Sequence, residues 1–272
     1  ILSAGVDGIK VAEAVAKAML ADLAGWLMKL KFDDIKKLHQ KKYRDLHQHF
    51  LVEGEHLVLE LEKAAKTNSA LANSEVYVTE SHQDFYTSLT KHLISQKAMA
   101  QLSGTKSPQG IIAVTPIAAR QSEANSLEKA IYLYEIQDPG NLGTILRTLA
   151  WFGGFRCLLS PNSVDPFNPK VVRASMGAIF HTPFELGVEL SELPNRYKSI
   201  ATLDMQGGKL TSNEFKQSQC LIFGNEARGV PQDATKAINA KPYTIEGTGA
   251  IESLNLASTV NMCAYEMARE GK

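Results

Sequence analysis

Hydrophobic positions along this chain recur with two periods, one suited to strands and one to helices. In the first half, "HFLVEG" reads as a short strand ending in a glycine turn, and "EHLVLELEKAAK" carries apolar residues at helical spacing. "EVYVT" reads as a second strand, and "SQKAMAQLSG" as a helix with Gly104 as its C-cap. "GIIAVTP" is a third strand, stopped by Pro116. The pattern predicts a small α/β module over residues 31–117. The next stretch, "AARQSEANSLEK" at 118–129, has no apolar period and reads as a linker. Beyond it the alternation is regular. The strand-like runs "AIYLYEI", "FRCLLS", "SIATLD", "CLIFG" and "PYTIEG" are separated by helical segments that begin at Asn141, at Asn168–Pro169, at Ser212–Asn213 and at Pro231. Near-continuous apolar strands alternating with helices predict, for residues 130–272, a mostly parallel sheet covered on both faces. In such folds ligands bind outside the carboxyl ends of the strands.

Residues 1–30 stand apart. "VAEAVAKAMLADLAGWLMKL" reads as an amphipathic helix interrupted by Glu13, Lys17 and Asp22, without the basic start and small-residue cleavage site of a secretory signal. Because Met28 would make a natural start, residues 1–27 read as an appendage. Composition adds limits. Lys+Arg and Asp+Glu balance at 29 each, so contact with a polyanion has to come from a local patch. Cys157, Cys220 and Cys263 are far apart and odd in number, which suits a reducing cytoplasm; Cys220 and Cys263 lie in apolar patterns and read as small buried hydrophobes. No run of about 18 apolar residues offers a membrane span.

Candidate chemistry lies in four places. The segment from Lys31 to Arg44 places Lys36, Lys37, Lys41, Lys42 and Arg44 against Asp33 and Asp34, with Phe32 and Tyr43 interleaved. It reads either as a solvated helix face or as a phosphate-contacting patch with a stacking aromatic. His47 and His49 have no further clustered ligands for a metal. The other three places are loops at carboxyl ends. In "QDPGNLGTILRTLAWFG", Asn141 is placed to cap a helix with the apolar stripe Leu142, Ile145, Leu146, Leu149 and Phe152. Arg147 falls on the opposite side, and Gly143, one turn earlier, is expected to leave room beside the guanidinium. In "LIFGNEARGV", Gly224 permits a close backbone approach, while Glu226 is either neutralised by a partner such as Arg228 or presented to a ligand. In "YTIEGTGAIESLNLASTVNMCAYEMARE", Ser253 and Asn255 stand at the start of a last helix. No P-loop, dinucleotide fingerprint, H-E-x-x-H or cysteine-pair motif accompanies them, so no metal is expected.

Taken in order, "NLGTILR", "FGNEARGV" and "SLNLAS" resemble the three motifs of the SpoU (TrmH-like) RNA ribose 2′-O-methyltransferases, and "NPKVVRASMGAIFHTPF" is similar to the segment between the first two. The resemblance covers roughly residues 30–272 and includes an N-terminal module similar to the family's ribosomal-protein-like RNA-binding domain. It implies a two-domain α/β protein whose C-terminal domain ends in a trefoil knot. It implies S-adenosylmethionine as cofactor, RNA (ribosomal or transfer) as substrate and a cytoplasmic homodimer. By the same resemblance, Gly224, Ile245 and Leu254 would form the cofactor pocket. Asn141, Arg147, Glu226, Ser253 and Asn255 match the polar positions around the reacting centre. Arg147 would serve as base or, more in keeping with a guanidinium, as an electrostatic clamp. Where the family often has Ile-Pro-Met-x-Gly, this chain has Ile245-Glu246-Gly247-Thr248-Gly249, a departure at the rim of that pocket. Two rivals share the fold: a catalytically silent RNA-binding protein, and a knotted enzyme that methylates a base.

Overall fold

A computed structural model describes residues 30–117, 128–251 and 253–269. The appendage and most of the linker expected from the sequence lie outside these residues. The first sheet has the order β1 (His49–Glu53), β4 (Ile111–Pro116), β2 (Glu75–Val78), β3 (Thr90–Leu93). Its β2–β3 pair is parallel and the other two pairs are antiparallel. The central strand β4 is buried along its whole length, which is why it reads as an uninterrupted apolar run. Helix α1 (Lys41–His47) precedes β1; α2 (Glu55–Ala65) follows it and buries Leu57, Val58, Leu61 and Ala64. Helix α3 (Gln96–Leu102) is capped at its start by Ser95 and ends at Ser103, so Gly104 is not its C-cap.

The second sheet is parallel throughout. Its order is β10 (Lys241–Thr244), β8 (Ile200–Lys209), β9 (Cys220–Phe223), β5 (Lys129–Leu133), β6 (Phe155–Leu159), β7 (Phe184–Leu186). After β5 the chain builds outward through β6 and β7, then returns to the other side of β5. The β5–β9 junction is therefore a topological switch point, where open α/β sheets leave a crevice. Two edge strands escaped the sequence pattern. Thr90–Leu93 is mostly exposed and Phe184–Leu186 only three residues long, so neither carries an apolar run.

Helix α4 (Pro139–Phe152) follows β5 and packs against both α5 (Pro169–Ser175) and α7 (Leu256–Ala268), while α6 (Gln232–Ala237) follows β9. Helix α4 buries Leu142, Ile145, Leu146 and Leu149, as its stripe predicts. Its cap differs from the expectation: the Asp138 side chain accepts from Asn141 N–H at 2.7 Å, with Pro139 in the first turn. Asn141 is thereby released from capping. Asn168 and Ser212 cap their helices as expected, whereas Pro231 immediately precedes α6 rather than opening it.

The two sheets share one continuous apolar core, and helix α5 packs on β1 of the first sheet. Phe50 of β1 meets Phe167 with ring centroids 4.9 Å apart and Phe180 at 6.4 Å. Gly177 is obligatory at this seam, since a Cβ there would lie 2.6 Å from Cβ of Glu60. An ion pair crosses the same seam: the Arg44 guanidinium, 2% exposed, donates to Asp165 at 2.6 and 2.9 Å and to the carbonyls of Leu38 and His39.

Candidate active site

The register of β5 and β9 sets Leu133 beside Phe223, so the loops leaving both strands start side by side. The loop from β9 folds back at once. Asn225 and Gly229 bond to each other through their backbones, and a Cβ on Gly224 would stand 2.3 Å from the Gly229 carbonyl carbon. Gly224 does permit a close backbone approach, but the approach seen is by its own loop. The Asn225 side chain, almost fully buried, donates to the Glu135 carbonyl at 2.8 Å and accepts from the N–H groups of Ala227 and Arg228. Glu135 adopts φ 47°, an uncommon backbone for a non-glycine residue, and its N–H donates to Ser160 Oγ at 2.7 Å. Asn225, Glu135 and Ser160 therefore lock together the loops after β9, β5 and β6. Sequence reasoning missed all three, because each is an ordinary polar loop residue until the strands are placed.

The three motifs meet through side chains. Glu226 accepts from the N–H groups of Gln137 (3.2 Å) and Asp138 (3.1 Å) and from the Asn141 amide (3.3 Å). The Asn255 amide donates to Asn141 Oδ1 at 3.0 Å, while its own oxygen caps α7 by accepting from Ser258 N–H. The chain of bonds Glu226–Asn141–Asn255 thus ties one side chain from each motif into a single unit. Partial burial pushes the Glu226 carboxyl up. Hydrogen bonds from its own N–H, from Asp138, from Gln137 and from Asn141 outweigh that effect and hold it below its ordinary value. Arg228 is not its partner; that guanidinium pairs with Glu135 at 2.8 Å.

Arg147 and Ser253 are both exposed, and no ion pair or hydrogen bond within the described residues holds the Arg147 guanidinium. The room expected beside Arg147 does not come from Gly143. A Cβ there would lie 2.4 Å from Cβ of Ala174, so Gly143 serves the close packing of α4 on α5. Open space lies elsewhere: at Gly229, Gly247 and Gly249 a Cβ would meet no atom within 4 Å. In the loop after β10 the apolar side chains of Leu254 and Ile251 stand 44% and 69% exposed, with Ile245 half-buried. Bare amides and carbonyls beside uncovered apolar groups fit an adenosyl ligand with an amino-acid tail.

The basic segment is assembled differently from what its charges suggest. Lys36 pairs with Asp33, Lys37 with Asp34 at 2.9 Å, and Lys41 with Asp45 at 2.6 Å, while Lys42 lies over the Tyr43 ring at 5.7 Å. Arg44, expected to contact RNA, is buried in the seam between the sheets and is withdrawn from that role. All three cysteines are free and buried, with their thiols pushed up to about 12 by burial.

Family models agree with this geometry. The model of the SpoU rRNA methylases matches residues 128–265, and that of the MRM3-like substrate binding domains matches residues 30–113. The chain belongs to the SpoU rRNA methylase family. As a SpoU protein it is an RNA methylase. It is 32% identical over 243 residues to the 23S rRNA (guanosine(2553)-2′-O)-methyltransferase RlmP of Bacillus subtilis, an alignment spanning 87% of this chain and 95% of that protein. A TrmH-family protein from Porphyromonas gingivalis is 26% identical, with a TM-score of 0.76 over 90% of this chain and all of that one (100%). The SpoU methyltransferase AviRb of Streptomyces viridochromogenes, solved in complex with AdoMet, shares the fold at 18% identity, with a TM-score of 0.74 over 89% of this chain and 98% of that one.

Proposed function

We propose that this enzyme methylates a ribose in ribosomal RNA, as the name of its Bacillus relative suggests, and that the joined motifs form its reaction centre. The observation that carries the reading is the bonded set Glu226–Asn141–Asn255, with the unpaired Arg147 on the helix that carries Asn141. When bound, S-adenosylmethionine supplies an activated methyl group on a sulfonium. The backbone around Gly224 and Gly247–Gly249, with Ile245 and Leu254, would hold it. Hydrogen-bond donors from Gln137, Asp138, Asn141 and its own backbone occupy the Glu226 carboxylate, whose pKa is depressed, so it makes a poor base. Its role is to fix the first-motif loop. Arg147 is free to grip the phosphate beside the target and to stabilise the ribose oxygen as its proton leaves, a task suited to a permanent cation. Ser253 and the Asn141–Asn255 amides orient the 2′-hydroxyl toward the methyl carbon.

The trefoil knot belongs to this reading, supported by the return of α7 onto α4 after the last strand. So does a homodimer, supported by an apolar strip on α4 and α7 in which Trp151 is 85%, Tyr265 51% and Met262 41% exposed. Light scattering on Trp151→Asp/Tyr265→Asp should report a monomer; a persisting dimer would place the interface elsewhere. Cytoplasmic residence is supported by the three unpaired cysteines.

The deciding experiment is methyl transfer to a transcript of bacterial large-subunit ribosomal RNA, followed by mass spectrometry of its nucleosides. A 2′-O-methylated nucleoside is expected, and transfer should vanish when the target nucleotide is made 2′-deoxy. A methylated base would give the reaction to the base-methylating rival. Cofactor binding with no transfer to any RNA would favour the silent RNA-binding protein.

A further inference from the structure

Between the two sheets, helix α1 and the loop after β6 enclose a cavity of about 300 Å³. One wall carries Gln48 and the other Asn162, Pro161 and Leu186. The loop bearing Asn162 is bonded directly to the candidate active site: Gln137 Nε2 donates to the Asn162 carbonyl at 2.7 Å, and Val164 N–H to the Ile136 carbonyl at 2.8 Å. The loop that lines the cleft is therefore held by the same Gln137 whose N–H holds Glu226.

Two features narrow the occupant. The charged groups around the cleft are spent on one another, Lys41 with Asp45 at 2.6 Å and Asp165 with Arg44 at 2.6 Å. Among the described residues a phosphate would find no unpaired cation there. What remains is apolar surface from Ile117, Leu186 and two prolines, together with the Asn162 amide and that of Gln48, whose Nε2 also donates to the Asp45 carbonyl at 2.8 Å. That combination, and a volume at the lower end of the range of about 300–1,000 Å³ for small-ligand pockets, suits a planar neutral heterocycle. The second feature is backbone. Gln48 and Asn162 both sit at positive φ, 53° and 63°, one from each side of the cleft. Gln48 takes this conformation as the C-cap that ends α1 and Asn162 takes it in a loop, which sets the two side chains on opposite sides of the cleft.

We propose that this cleft takes a single unstacked nucleobase of the substrate RNA, flanking the nucleotide that is methylated, and reads its edge with the Gln48 and Asn162 amides. Single-stranded bases splayed into protein pockets are the usual route to sequence-specific RNA recognition. The inference rests on the reading of the site as an RNA methyltransferase centre. It adds a second contact point that fixes which nucleotide reaches the first.

The test uses the full chain and a transcript of bacterial large-subunit ribosomal RNA. The double variant Gln48→Gly/Asn162→Gly removes both amides at positions where glycine adopts the native backbone without strain. Its affinity for the transcript should fall about tenfold, its melting temperature and its affinity for S-adenosylhomocysteine staying at wild-type values. Because no phosphate contact is lost, the salt dependence of RNA binding should keep the wild-type slope. A reduced slope would mean the cleft holds a phosphate and would overturn the proposal, as would unchanged affinity with methyl transfer intact. Wild-type protein that neither binds nor methylates the transcript would overturn the RNA reading itself, and the cleft with it.

Discussion

The basic segment at residues 31–44 and the three joined motifs use the same residue types to opposite ends. In the segment, charges are consumed where they stand: lysines pair with aspartates one turn away, and Arg44 is buried against Asp165. In the motifs, Glu226 is held by neutral donors and Arg147 faces solvent without a partner among the described residues, so a negative charge is fixed in place and a positive one left available. The density of charge in a sequence is thus a poor guide to its use. What counts is the charge left after local pairs are subtracted, and only the fold shows which side chains are near enough to pair.

That contrast can be broken experimentally. The largest effect is expected at Arg44. Arg44→Ala leaves Asp165 buried without its cation and should cost about 3–5 kcal/mol of unfolding free energy, measured by urea titration. Arg44→Met with Asp165→Leu should recover most of it. A loss below about 1 kcal/mol in the single variant would mean that the seam relaxes and the pair is not needed. At Arg147 the signs are reversed. Arg147→Ala should leave the melting temperature unchanged and cut turnover by about 100-fold with saturating RNA. Near-normal turnover would remove Arg147 from the reaction centre.

Asn255→Ala removes both a helix cap and the tie to Asn141. About 1 kcal/mol of stability should go with the cap, and kcat should fall more than the affinity for RNA. Equal losses in Asn255→Ala and Asn255→Ser, which restores a cap but cannot reach Asn141 as an amide does, would show that the tie matters more than the cap. Neutralising Lys36, Lys37, Lys41 and Lys42 together should flatten the salt dependence of RNA binding by clearly less than the full one unit per lysine that free phosphate contacts would give. Three of them must first leave an aspartate. A loss of four full units would restore the segment as an open phosphate-binding face.

The smallest effect concerns pH. The folded state holds the Glu226 carboxyl below its ordinary value, so it favours the ionised form. The stabilisation from this group is complete above the usual glutamate value of about 4.3 and is lost as pH falls through the lower, folded one. Binding of S-adenosylhomocysteine should therefore hold steady from neutral pH into mild acid and weaken only below that range. Glu226→Gln should remove this acid limb; an unchanged limb would assign it to another carboxylate.

By itself the sequence determined the class of the protein and most of its elements. Continuous apolar runs such as Ile111–Pro116 and Cys220–Phe223 read as buried strands because no other role suits them. The order of the three polar motifs fixed the chemistry to be sought. Local rules failed where a residue's use depends on something distant in the chain. Asp138 capped α4 and released Asn141 to join Glu226 and Asn255, 85 and 114 positions away. Gly143 proved to be a site of close helix packing rather than a gap beside Arg147, and the loop after β9 folds back against Gly224. Arg44 found Asp165 across 121 positions and left the basic face. Periodicity records whether a side chain is buried, and that is local information. Which group meets it in the interior is decided only when the two sheets close over one core.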